Sequence, residues 1–161
     1  MGVDHYENFP VASLLLPAAL RGPVQAIYRF ARHADDIADE GDDPPERRLA
    51  QLAVLDDELD AIARGEPTAW PALAQAVHAH QLDIGLLHDL LSAFRQDVTV
   101  TRYADDAALL DYCRRSANPI GRLLLALFKR EAPALLAQSD AICSGLQLVN
   151  FWQDVAIDWA K

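Results

Sequence analysis

Apolar residues recur every three or four positions along most of this chain, and no stretch alternates with the period of a strand. Ala12 to Leu16 form a short apolar run ended by Pro17, which predicts a lead-in turn or short helix. A helix is predicted from about Gly22 to Glu40, with Pro23 in its first turn, where a missing N–H costs nothing. Val24, Ile27, Phe30, Ala31, Ala34, Ile37 and Ala38 supply its apolar face, and Gly41-Asp42-Asp43-Pro44-Pro45 breaks it. A second helix is predicted from about Pro45 to Arg64, stopped by Gly65. A third covers about Ala69 to His80, and a fourth about Gly85 to Asp97 with Leu87, Leu90, Leu91 and Phe94 as its face. After a link at Thr99 to Arg102, Asp105 or Asp106 caps a fifth helix, which Pro119 kinks or interrupts. The pattern resumes from Leu123 to Lys129, and a last helix starts near Pro133 and is still running at Lys161. The fold class expected is all-α.

Composition narrows the partners. The 161 residues are 52% hydrophobic, enough for a sizeable core, and the formal net charge is −10. Such a chain repels nucleic acid. To bind an anionic ligand it needs a divalent metal or well-placed arginines. Cys113 and Cys143 share no metal-ligand or redox spacing and read as buried thiols in a reducing compartment. The first residues lack the basic start of a signal peptide, and no apolar run reaches about 18 residues. A cytoplasmic location is expected, with peripheral contact at the inner face of the membrane if the substrate is a lipid.

Two polar stripes change this picture. Tyr28, Arg32, Asp35 and Asp39 follow i, i+4, i+7, i+11 on the first long helix. Gln147, Asn150, Asp154 and Asp158 follow i, i+3, i+7, i+11 on the last. Each ends in two carboxylates one turn apart, a repulsive arrangement on an isolated helix. Mg²⁺, a hard cation that prefers oxygen ligands, removes that cost and brings phosphate with it. Ile142, Leu146, Leu148, Val149, Phe151, Trp152, Val155 and Ile157 surround the second stripe, so this helix is expected to be buried, with its stripe lining a polar cavity. The chain stops inside that apolar helix, and the 161 residues are expected to be part of a larger domain. Read singly, His5 is a local hydrogen-bonding residue, Asp36 a helper or solvent-facing group, and Tyr112 and Trp152 either core or site. His33, His78, His80 and His88 read as surface or satisfied residues, and Asp56-Asp57-Glu58 as a solvated helix face.

In order and spacing these patches resemble the squalene/phytoene synthase family of head-to-head terpene synthases. Arg32, Asp35 and Asp39 match its Arg-x-x-Asp-x-x-x-Asp. Gln147, Asn150, Asp154 and Asp158 match its Gln-x-x-Asn-x-x-x-Asp-x-x-x-Asp. Tyr112 with Gly121, His5 with Phe9, and Leu15-Leu16-Pro17 match three further patches. Glu7 to Ser13 and Asn150 to Asp154 look most like the hydroxysqualene synthase branch, a likeness supported by Asn8, where the family usually has Ser, and Gln153, where many members have Arg. The resemblance implies an isoprenoid-synthase helical bundle with two aspartate-rich helices facing a central cavity. Residues 1–161 would be the N-terminal portion of that single domain. It implies Mg²⁺ held by Asp35, Asp39, Asn150, Asp154 and Asp158, with Tyr112 beside the reacting centre. Arg32, Gln147, Asn150, Phe9 and His5 would bind a prenyl diphosphate, presqualene or farnesyl diphosphate. Phe9, Leu16, Phe30, Tyr112, Phe151 and Trp152 are the candidate apolar walls. The reaction implied is ionisation of presqualene diphosphate with water capture, giving hydroxysqualene. Another head-to-head synthase of the family and an inactive remnant stay open beside it. A di-iron bundle is set aside, because no Glu-x-x-His pair lies on a predicted helix.

Overall fold

The computed structural model describes residues 16–39 and 41–158, with the side chains of residues 154–158 outside that description. The described residues form seven helices and no strand: α1 (Ala18–Asp39), α2 (Pro45–Arg64), α3 (Pro71–His80), α4 (Gly85–Thr99), α5 (Asp106–Ser116), α6 (Asn118–Leu127) and α7 (Pro133–Asp158).

The helical repeat of leucines decides which faces meet. Leu52, Leu55, Leu59 and Ile62 of α2 are buried against a core that includes Leu87, Leu90 and Leu91 of α4. Fully burying one such side chain stabilises the fold by about 1.5–3 kcal/mol. Helix α4 is the hub, packing on α1, α2, α5 and α6. Local chemistry ends the helices where the sequence predicts. Gly65 adopts the left-handed conformation (φ 71°), its N–H donates to Ile62 O at 3.0 Å, and Glu66 N–H donates to Ala61 O at 2.9 Å. Asp105 caps α5 by accepting from the Ala108 N–H at 2.8 Å.

Two expected boundaries are corrected. Helix α1 begins at Ala18, four residues before the predicted start at Gly22, so Pro23 lies inside it rather than in its first turn. Leu20 N–H closes the opening turn on Pro17 O at 2.9 Å, and Arg21 Nε donates to Leu16 O at 3.0 Å. The N–H that Pro23 lacks would have bonded Ala19, an exposed residue whose carbonyl water can serve. Pro119 does interrupt the chain, but α6 restarts at once at Asn118, with the proline in its first turn, not at Leu123.

The burial expected for α7 is also corrected. It packs on α5 and α6, while Ile142, Leu146, Val149 and Trp152 are exposed, Trp152 at 71%. A helix apolar all round needs neighbours on every side, and the described residues supply them on one. Trp152 is therefore not a wall in this structure. Phe30 is a core residue instead, fully buried edge-on against Trp70 at 5.1 Å.

Gly121 sets how closely α7 sits. A Cβ there would meet Ser139 Oγ, and Cys143 Sγ at 2.6 Å, so only glycine lets the two helices touch. Arg122 completes the seam with a paired bond to Asp140, Nε to Oδ1 at 2.9 Å and Nη2 to Oδ2 at 2.6 Å. Gly121→Ala should destabilise the protein by about 1–3 kcal/mol in urea unfolding, the usual cost of overpacking. Adding Ser139→Ala and Cys143→Ala should recover part of the loss. An unchanged midpoint in the single variant would show that α6 and α7 can separate freely.

Candidate functional site

The first aspartate pair lies at the end of α1, which an arginine from α2 holds in place. Arg48 Nη1 donates to Ala38 O at 2.7 Å, Nε to Asp43 O at 2.9 Å, and Nη2 to Gly41 O. One cation thus satisfies carbonyls at the negative end of the helix dipole and fixes the turn that carries Asp39. Arg32 pairs with its own helix: Nη1 lies 3.1 Å from Asp35 Oδ2 and Nε 2.8 Å from Asp36 Oδ1. The second contact is electrostatic, because Asp36 Oδ1 is buried without a properly angled hydrogen bond.

Asp97, on the last turn of α4, joins this acidic end. Tyr112 of α5 donates its hydroxyl to Asp97 Oδ2 at 2.8 Å. Burial pushes the Asp97 carboxyl from 3.8 up to about 6. The Tyr112 hydrogen bond opposes the rise, the charges of Asp39 and Asp35 add to it, and Arg115 opposes it. Arg115 straps α5 to α4, donating to Gln96 Oε1 at 2.5 Å and Ser92 Oγ at 3.1 Å. Burial, and then the nearby Asp97 charge, raise the Tyr112 phenol as well, so it stays a neutral donor.

An aromatic cluster borders the acids. Tyr103, Tyr112 and Phe151 meet pairwise with ring centroids 5.4, 5.7 and 6.0 Å apart. Burial raises Tyr103 to about 12. Phe151 brings α7 into the group, with Gln147 and Asn150 half-buried on the same helix. Asp154 and Asp158 occupy α7, but their side chains fall outside the described residues, as do His5 and Phe9 entirely. The charges of Asp35 and Asp39 thus act on Asp97, Asp97 accepts from Tyr112, and Tyr112 meets Phe151 of α7. Asp97, Tyr103, Arg48 and Arg115 were missed by sequence reasoning, since none belongs to a spaced motif. An open cavity of about 360 Å³ beside the end of α1 is lined by His33, Asp36, Ile37, Gly41, Asp43 and Gln51, and involves neither Asp35 nor Asp39.

The donor set suits a divalent cation. A carboxyl raised by burial, and further by two like charges, gains when a cation sits among them, and all three are hard oxygen ligands. Among the described residues no three or more acidic, His or Cys side chains are gathered at ligand distance.

The family model described as squalene/phytoene synthase matches residues 3–161. The chain belongs to the squalene/phytoene synthase family. It is 44% identical over 155 residues to a hydroxysqualene synthase of Zymomonas mobilis, covering 95% of this chain and 52% of that protein. A phytoene synthase of Mycobacterium tuberculosis is 31% identical over 152 residues, 94% of this chain and 50% of that one. The crystal structure of squalene synthase HpnC from Alicyclobacillus acidocaldarius superposes with a TM-score of 0.85 at 37% identity, covering 97% of this chain and 59% of that one. The all-α bundle is thus the fold of that synthase, and the chain spans about half the length of the curated relatives it matches.

The raised Asp97 makes a pH prediction. The folded state holds this proton more tightly than the unfolded one, so the associated stability is full below about pH 3.8 and lost as pH rises to about 6. Asp97→Asn keeps an acceptor for Tyr112 and removes the buried charge. The variant should melt higher than wild type at neutral pH, with the gap closing towards about pH 4. Equal melting temperatures at neutral pH would contradict the assignment.

Proposed function

We propose that the protein acts on a prenyl diphosphate, ionising presqualene diphosphate and capturing water to give hydroxysqualene and diphosphate. The observation that carries this reading is the Asp97–Tyr112 bond, which sets an acidic cluster against an aromatic one. Negative charge at one end suits a metal-bound diphosphate, and ring faces beside it suit the cation left behind. Asp35, Asp39, Asn150, Asp154 and Asp158 would hold Mg²⁺, with Asp97 behind the first pair. When bound, Mg²⁺ neutralises the charge that grows on the departing diphosphate.

The chain's own groups do the rest. Arg32 exchanges its Asp35 and Asp36 partners for diphosphate oxygens, which its guanidinium binds in a fork. Gln147 and Asn150 offer neutral hydrogen bonds to the same group. The Tyr112 hydroxyl is committed to Asp97, so this residue presents its ring face, as do Phe151 and Tyr103. Each aromatic face can stabilise a nearby cation by about 0.5–2 kcal/mol. The same surfaces keep bulk water from the cation. Residues 1–161 would be the N-terminal portion of the catalytic domain. The chain would act in the cytoplasm with peripheral membrane contact, and no helix among the described residues is long and apolar enough to cross a membrane.

A second reading, presqualene diphosphate or phytoene synthesis, uses the same residues and is favoured by the likeness to phytoene synthases. The protein, given Mg²⁺ and presqualene diphosphate, should release diphosphate and hydroxysqualene. Product from farnesyl or geranylgeranyl diphosphate, with presqualene diphosphate untouched, would move the assignment to the second reading. Mg²⁺ with inorganic diphosphate should also raise the melting temperature, and Asp39→Ala should abolish that shift. No shift in wild type would count against a metal–diphosphate site altogether.

A further inference from the structure

Asn118 is the one buried polar residue among those described, 7% exposed at the start of α6. Its Oδ1 accepts from Ser144 Oγ of α7 at 2.9 Å, which turns the amide N–H donors the other way. Two residues before it, Ser116 Oγ is buried without any hydrogen-bond partner. A buried hydroxyl left so is uncommon, and an ordered water is its usual partner.

The helices place both residues further along the bundle than the acidic end. Ser116 lies one turn beyond Tyr112 on the same face of α5. The contacts of Tyr112 with Asp97, and of Arg115 with Ser92, show α5 running antiparallel to α4, away from the acids. On α7, Ser144 precedes Phe151 by seven residues, about 10 Å along the axis on the same face. Ser116, Asn118 and Ser144 therefore lie one to two turns further along the helices than the aromatic cluster, where α5, α6 and α7 pack together.

We propose that Ser116, Asn118 and Ser144 hold the single water that the substrate cation captures. This rests on the presqualene diphosphate reading above. Diphosphate leaves with the electron pair of its C–O bond. The water oxygen supplies the pair for the new C–O bond, and one of its protons passes to the released diphosphate. Ser116 Oγ and the Asn118 amide hold the water in place, and Ser144 fixes the amide. A wall otherwise built of apolar and aromatic groups thus admits one nucleophile and excludes the rest.

The test is the product mixture from presqualene diphosphate with Mg²⁺. Asn118→Leu, close to asparagine in size, should cut the share of hydroxysqualene among all products about tenfold, in favour of hydrocarbons formed by proton loss. Ser116→Ala, the smaller change and the safer for folding, should shift it the same way. An unchanged share in a folded Ser116→Ala variant overturns the proposal. Wild-type protein that releases no diphosphate fails the functional reading itself, a separate result seen before any variant is made. A crystal structure then decides whether the water site exists. A water within hydrogen-bonding distance of Ser116 Oγ and the Asn118 amide supports it, and an empty or directly closed junction refutes it.

Discussion

The hydroxyl of Tyr112 donates to the carboxylate of Asp97, and the candidate site depends on that bond. It joins α4, the hub of the bundle, to α5. It also holds a carboxylate where burial and the charges of Asp35 and Asp39 all disfavour its ionised form. The phenol, helped by Arg115, favours the charged form of that carboxylate. With it, the end of the bundle is a partly compensated acidic cluster that a divalent cation would complete. On the proposed reading, the cost in stability and the binding of a cation have one cause.

The rest of the molecule presents this cluster. Arg48 pins the end of α1, so the first aspartate pair has a fixed direction. Arg115 fixes the register of α5 on α4. The break at Pro119 turns the chain into α6, and Gly121 lets α7 approach closely enough for Phe151 to reach Tyr112. The path from glycine to site is short: a Cβ at position 121 would push on Ser139 and Cys143, and α7 would carry the displacement to the polar stripe.

Much of the fold was legible because helical periodicity is a local property. Leu52, Leu55, Leu59 and Ile62 announce the buried face of α2, and Gly65 its end. The start of α1 was misplaced because Pro23 is a strong signal, while the exposure of Ala19, which makes an internal proline tolerable, has no local mark. Helix α7 was expected to be buried because its composition says what it would prefer, not which neighbours are present. The acidic pairs stand out in the sequence by their spacing alone. Asp97 was not, since its meaning comes from Tyr112, fifteen residues away on another helix, and a lone aspartate at a helix end resembles any solvated one. Arg48 and Tyr103 were hidden for the same reason.

A site-resolved carboxyl titration of Asp97 by ¹³C NMR, with and without Mg²⁺, reads the central interaction directly. The midpoint should lie near 6 in the metal-free protein and fall when Mg²⁺ is added. A midpoint in the ordinary range near 4, unmoved by Mg²⁺, would contradict it.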